Sequence, residues 1–162
     1  MQLEDVKAQF VGRSAEPEPM EVERGSAQRY AVAVGDLNPL YLDDALARAA
    51  GFDAIVAPPG FFGWPVRQPS PSFSILVDDL RVALADAGFP NTLDGGGEFD
   101  FRIPIQAGQQ LLCTRTLTDM RERNGSDGRR MVLCSLQTDF HDLSGALVTR
   151  LNQTVIFLTP AP

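Results

Sequence analysis

The second half of the chain alternates apolar and polar residues with a period of two, a pattern that an antiparallel sheet satisfies and a helix does not. Phe99, Phe101, Ile103 and Ile105 fall on one face and Glu98, Asp100 and Arg102 on the other, as in a half-buried strand. Three further runs follow, Gln110–Arg121, Arg130–Phe140 and Ala146–Leu158. Their connections, Asn124-Gly125-Ser126-Asp127-Gly128 and Leu143-Ser144-Gly145, carry turn chemistry. An early strand near Met20–Glu23 is expected to complete the sheet. Gly95-Gly96-Gly97 stands before the first long strand, where a bare backbone can pass close to other backbone on its way into the sheet.

The first half has a different period. From Ser26 to Ala50 the spacing is helical, with Tyr30, Val32, Ala33 and Val34 running into a Gly-Asp turn. Asp43 or Asp44 can then cap Ala45–Ala50, and Gly51 is placed as a stop. Two short helices are therefore expected, one on each side of the turn. Pro58, Pro59, Pro65, Pro69 and Pro71 surround the apolar Gly60-Phe61-Phe62-Gly63-Trp64. Proline suits a first helical turn, so Pro58 or Pro59 is expected to start a buried helix ending near Trp64 or Val66. Another helix is expected over Val77–Ala87. Helices followed by antiparallel strands give an α+β fold with the helices on one face of the sheet.

At 162 residues, 44% hydrophobic and 22% charged, residues 1–162 fit a single domain with its own core. No apolar run approaches the roughly 20 residues of a membrane-spanning helix, and Met1–Asp5 lacks the regions of a signal peptide, so a cytoplasmic protein with no membrane partner is expected. A net charge of −7 argues against nucleic acid as a partner, because phosphate backbones call for a dense basic surface. Cys113 and Cys134 lie in apolar stretches with no second Cys or His at ligand spacing, and read as buried thiols rather than a metal site. The single histidine, His141, reads as a surface residue of the turn after the third long strand.

Gly35-Asp36-Leu37-Asn38-Pro39-Leu40-Tyr41 resembles the signature of the MaoC-like hydratase/dehydratase family, G-D-x-N-P-L-H, with Tyr41 where the signature has His. Ile55-Val56-Ala57-Pro58-Pro59, and Gly97-Glu98-Phe99-Asp100-Phe101 with Pro104 and Gly108, look like the segments that accompany it. The resemblance spans roughly residues 20–158 and is similar in particular to the branch known as the N-terminal or FAS1-like dehydratase domain. It implies the hot dog fold, an antiparallel sheet wrapped around a central helix, working as a homodimer or as a heterodimer with another MaoC-like chain. It also implies acyl thioesters of coenzyme A or acyl carrier protein as substrates, reversible hydration to the (R)-3-hydroxyacyl form, and no cofactor.

That reaction needs a base for water, a proton for the α-carbon and donors for the developing enolate oxygen. Imidazole titrates near working pH, whereas a phenol near 10 is a weak base, so Tyr41 does not simply replace His. In active members a Gly amide in the loop after the second helix donates to the thioester oxygen. Aligned without gaps from Asp36, that position falls on Pro59, which has no N–H; a one-residue shift restores a donor through Gly60.

Candidate catalytic residues are accordingly Asp36 and Tyr41, and candidate substrate-binding residues Asn38, Pro59, Gly60, Phe61 and Trp64. Each has a plainer reading. Asp36 and Asn38 also serve as turn residues bonding nearby backbone, Tyr41 as a packed aromatic, and Phe61, Phe62 and Trp64 as core rather than acyl tunnel. Arg67, Arg81, Arg102, Arg129 and Arg130 are candidates for meeting substrate phosphates, or else solvated surface charges. Three functions stay open: a subunit completed by a His-bearing hot dog partner, a stand-alone homodimeric hydro-lyase reusing Asp36 and Tyr41, and a non-enzymatic acyl-thioester binding protein.

Overall fold

A computed structural model describes residues 1–61, 71–126 and 128–161, with backbone alone for 71–75. Its elements are α1 (Leu3–Phe10), β1 (Glu18–Glu21), α2 (Arg24–Val34), a 3₁₀ turn (Pro39–Tyr41), α3 (Asp44–Ala49), α4 (Pro71–Asp86), β2 (Asn91–Phe101), β3 (Gln110–Asn124), β4 (Arg130–Asp142) and β5 (Leu147–Leu158). The strands form one antiparallel sheet in the order β1-β3-β4-β5-β2. The α+β expectation and its long strands are met. The helix expected between Pro58 and Val66 falls largely outside the described residues.

Alternation in β4 sets the core. Val132, Cys134, Leu136, Thr138 and Phe140 are all buried, while their neighbours are half-exposed. Leu76, Leu80, Ala83 and Leu84 of α4 pack with Leu117, Met120, Val132, Cys134, Leu136 and Phe157, so the sheet curves around this helix. Gly88, at φ 97°, ends α4; the turn it makes lets the Phe89 N–H reach the Leu84 carbonyl at 2.8 Å. A second cluster, with Val22, Ala27, Phe61, Ile105, Leu111 and Phe140, lies under α2. Helix α1 was not anticipated from the sequence. Its Val6 and Phe10 are buried in the α4 cluster.

Three sequence expectations are corrected. His141 lies within the end of β4, not in the following turn, which begins after Asp142. The Asp142 carboxylate makes that turn by accepting from the Ser144 and Ala146 amides at 2.8 and 3.0 Å. Strand β2 begins at Asn91, so the glycine triplet sits inside it, at a bulge between the pairs Asp94↔Val155 and Gly97↔Gln153. A Cβ on Gly95 would stand 2.9 Å from the Thr154 carbonyl oxygen, so the close backbone approach is real. Finally, β2 ends at Phe101, and Phe101 and Ile103 are 40% and 41% exposed rather than half-buried in a strand. The physical reason is that β2 is an edge strand, with β5 on one side alone.

A second bulge lies between Leu117↔Leu136 and Asp119↔Ser135 in β3. Since Ser135 pairs with Thr154, the two bulges stand at one level across the sheet. Each adds one residue to a strand flanking the β4–β5 pair.

Both thiols are buried, and burial pushes that of Cys134 up to about 12. Neither is expected to react with a thiol-titrating disulfide reagent at pH 8 in the folded protein, whereas both should react on unfolding. On the solvent face of the sheet, Arg150 donates to both Asp139 oxygens, at 2.6 and 2.8 Å, and holds that carboxyl below its usual range. A depressed carboxylate stabilises the fold above its unfolded-state pKa, near 4, and loses that contribution as pH falls through the folded value. The urea midpoint of Asp139→Asn is therefore expected to trail that of the parent at pH 6, the two converging below about pH 4.

Candidate active site

The signature is a chain of local caps. Gly35, at φ 75°, closes α2, and the Asp36 N–H reaches back to the Ala31 carbonyl at 3.0 Å. The Asp36 carboxylate accepts from the Asn38 amide at 3.2 Å, and the Asn38 side chain accepts from the Leu40 amide at 3.0 Å, opening the 3₁₀ turn that carries Tyr41. Asp43 then caps α3 through the Ala45 and Leu46 amides. Two bonds fasten this segment to the next: the Leu40 carbonyl accepts from the Val56 amide at 2.9 Å, and the Asp44 carboxylate from the Ile55 amide at 3.1 Å. Arg24 ion-pairs with the same Asp44.

The opposite wall is built by the end of β2. At the β4–β5 register shift beside Phe140, the Val148 carbonyl accepts from both the Arg102 and Ile103 amides, at 2.9 and 3.2 Å. This turns the chain out of the ladder into Pro104 and Ile105. The Ile105 carbonyl accepts from the Ala57 amide at 2.8 Å, closing the two walls together. Between them lies a cavity of about 290 Å³, lined by Tyr41, Val56, Ala57 and Pro59 on one side and by Phe101–Ile105 on the other. The lining is mostly apolar, as small-molecule sites are, and its polar side chains are those of Tyr41 and Arg102.

Tyr41 keeps its proton. Partial burial raises its pKa, and the Asp36 charge raises it further, so the group is a neutral O–H rather than a base. Asp36 and Asn38 are exposed, and both make the backbone bonds that shape the turn.

The loop after α3 makes a tight turn. The Phe61 amide donates to the Pro58 carbonyl at 3.1 Å and Gly60 has φ 84°, which makes Pro58-Pro59-Gly60-Phe61 a type II turn. Pro59 takes the position that favours proline and lines the cavity. The Gly60 N–H, in the central peptide, has no acceptor among the described residues. Phe61 is 5% exposed in the second core cluster and does not line the cavity; Trp64 and Arg67 lie outside the described residues.

Among the described residues, the arginine that stands at the cavity is Arg102, and it pairs with Asp100. Arg81 pairs with Asp78 and Arg130 with Glu122, both away from it. The Phe101–Ile105 wall was read from sequence as strand. Pro104 was the available signal, since proline cannot continue a ladder.

The profile of the FAS1-like, dehydratase domain region matches residues 9–150. The chain belongs to this family. A UPF0336 protein of Thermobifida fusca is 33% identical over 123 residues, covering 75% of this chain and 77% of its own. A probable enoyl-CoA hydratase alpha subunit of Thermomonospora curvata is 27% identical over 124 residues, covering 72% of this chain and 38% of its own.

The ChsH1-ChsH2 complex of Mycobacterium tuberculosis contains a similar chain, with TM-score 0.78, 22% identity and coverage of 98% and 94%. A MaoC-like dehydratase gives TM-score 0.70 at 26% identity, covering 95% of this chain and 43% of the other. This FAS1-like dehydratase domain thus has the hot dog fold of the MaoC-like hydratases and dehydratases, with α4 as the wrapped helix. Among the described residues no helix is long and apolar enough to cross a membrane.

Proposed function

We propose that this chain is one half of an (R)-specific enoyl-thioester hydratase, or in reverse a 3-hydroxyacyl-thioester dehydratase, completed by a second hot dog chain that carries the base. The observation that carries this reading is Tyr41: it stands at the signature's His position, on the wall of an apolar cavity, with its proton held on.

In the hydration direction the partner's histidine removes a proton from water, the water oxygen bonds to C3 of the 2-enoyl thioester, and the electron pair moves through C2 to the thioester oxygen. The Gly60 amide receives that oxygen's charge, and return of the proton from the histidine to C2 completes the addition. The Asp36 carboxylate holds the turn, burial and then the Asp36 charge keep Tyr41 neutral, and Val56, Pro59, Phe101 and Ile103 offer an apolar bed for the acyl chain.

The partner is supported by two observations. Exposed Phe101 and Ile103 rim the cavity at the free edge of the sheet, so a chain docked there would close the cavity and cover them. Two structures of similar fold are themselves complexes of two chains, ChsH1-ChsH2 and HadBC.

The test is enoyl-CoA hydration by the pure chain, alone and after co-expression with a hot dog chain bearing Gly-Asp-x-Asn-Pro-x-His. Turnover in the pair alone supports the reading. Full turnover by the lone chain, abolished by Asp36→Asn, refutes it. Asn keeps the acceptor that Asp36 offers to the Asn38 amide, so that variant should change stability by less than about 0.5 kcal/mol in thermal melts.

A further inference from the structure

Gly60 occupies a place where a side chain would not fit, and the obstacle is Tyr30. A Cβ at Gly60 would lie 2.6 Å from the Tyr30 hydroxyl oxygen, well inside contact distance, and its φ of 84° already favours glycine. The Tyr30 ring also stands edge-on to Phe61, with centroids 6.0 Å apart and planes at 80°. One side chain of α2 therefore touches two successive residues of the Pro58–Phe61 turn. Tyr30 does not line the cavity, so it has no direct claim on a ligand there.

What it touches is the part of the turn that can rotate. A type II turn interconverts with type I by rotation of its central peptide, which reverses the direction of the N–H at the third residue. Here that N–H belongs to Gly60. We propose that Tyr30 is a positioning residue for the Gly60 amide: its ring seats Phe61, and its hydroxyl bears on the bare α-carbon of Gly60, holding the central peptide with its N–H toward the thioester oxygen. This rests on the thioester reading given above. It adds to that reading a residue outside the signature, on helix α2.

The test compares butyryl-CoA with S-butyl-CoA, a thioether lacking the carbonyl oxygen, by calorimetric titration of the pair that co-purifies, or of the chain alone if none does. One hydrogen bond to the carbonyl makes the thioester bind about three- to tenfold tighter in the parent. Tyr30→Phe keeps the ring on Phe61 and is expected to shrink the gap below about twofold while S-butyl-CoA binds as before. A merely structural role would weaken both ligands together. Gly60→Ala, which drives a methyl into the hydroxyl, is the second variant and should also close the gap.

Thermal melts verify that each variant is folded. An undiminished gap in Tyr30→Phe overturns the assignment of Tyr30 alone, whereas a parent that binds both ligands equally overturns the Gly60 donor and the assignment of Tyr30 together. A parent that binds neither overturns the thioester reading and this assignment with it.

Discussion

Crotonyl-CoA hydration by the pure chain is expected to run about 10²–10⁴-fold below that of the same chain paired with a hot dog chain whose signature ends in His. The gap follows from proton affinity. A phenol with its pKa raised above 10 is ionised in fewer than about one molecule in 10³ at pH 7, so Tyr41 almost never presents a base. Asp36 is exposed, and it already accepts from the Asn38 amide. Loss of enoyl absorbance measures both rates. Replacing the partner's signature histidine by alanine should drop the pair to the level of the lone chain. A lone chain as fast as the pair would place the base on Asp36 or Tyr41 and end the two-chain proposal.

Phe10→Ala is expected to cost about 3–5 kcal/mol in urea unfolding, the range for emptying a well-packed aromatic site. Phe10 is 2% exposed and Val6 fully buried, both against the α4 cluster. Arg13 stacks over the Phe10 ring at 5.2 Å and pairs with Asp79 of α4 at 2.9 Å, so the helix is fixed from its end as well as its face. Removing the ring opens a cavity on the wrapped helix itself. Lys7→Ala on the exposed face of α1 should change stability by less than about 0.5 kcal/mol and serves as the control. A Phe10→Ala cost near that of the control would mean that α1 is not part of the core.

Strands were the most legible feature because period-two alternation records a face directly. Runs Gln110–Arg121, Arg130–Phe140 and Ala146–Leu158 sit within or beside β3, β4 and β5. Helix α1 escaped because it is short and its apolar residues are few. The wall at Phe101–Ile105 escaped for another reason: it departs from the ladder through a carbonyl of a different strand, that of Val148, and no local pattern encodes that.

At the site, the signature made Asp36, Asn38 and Tyr41 visible as a group, but not the division of labour among them. Backbone geometry decided that the first two shape the turn and that Tyr41 faces the cavity. Whether Pro59 or Gly60 stands at the family's donor position is a register question that the sequence leaves open. Of the two, Gly60 carries an N–H, and it sits at φ 84° in the turn. Tyr30 carried no signal at all, since an aromatic on the inner face of a helix is ordinary.

The paired bulges also bear on how chains of this kind can change length. Each extra residue, one in the glycine triplet and one at Thr118, gives an outer strand a longer path than the inner strand beside it. Deleting either would leave every other cross-strand partner in place yet flatten one side of the bend while the other stayed curved. Insertions and deletions at these two points are thus tied to each other across the width of the sheet, though about 20 residues of sequence separate them. Relatives that lack one extra residue are expected to lack both, and a designer shortening the protein would have to cut at the two places together.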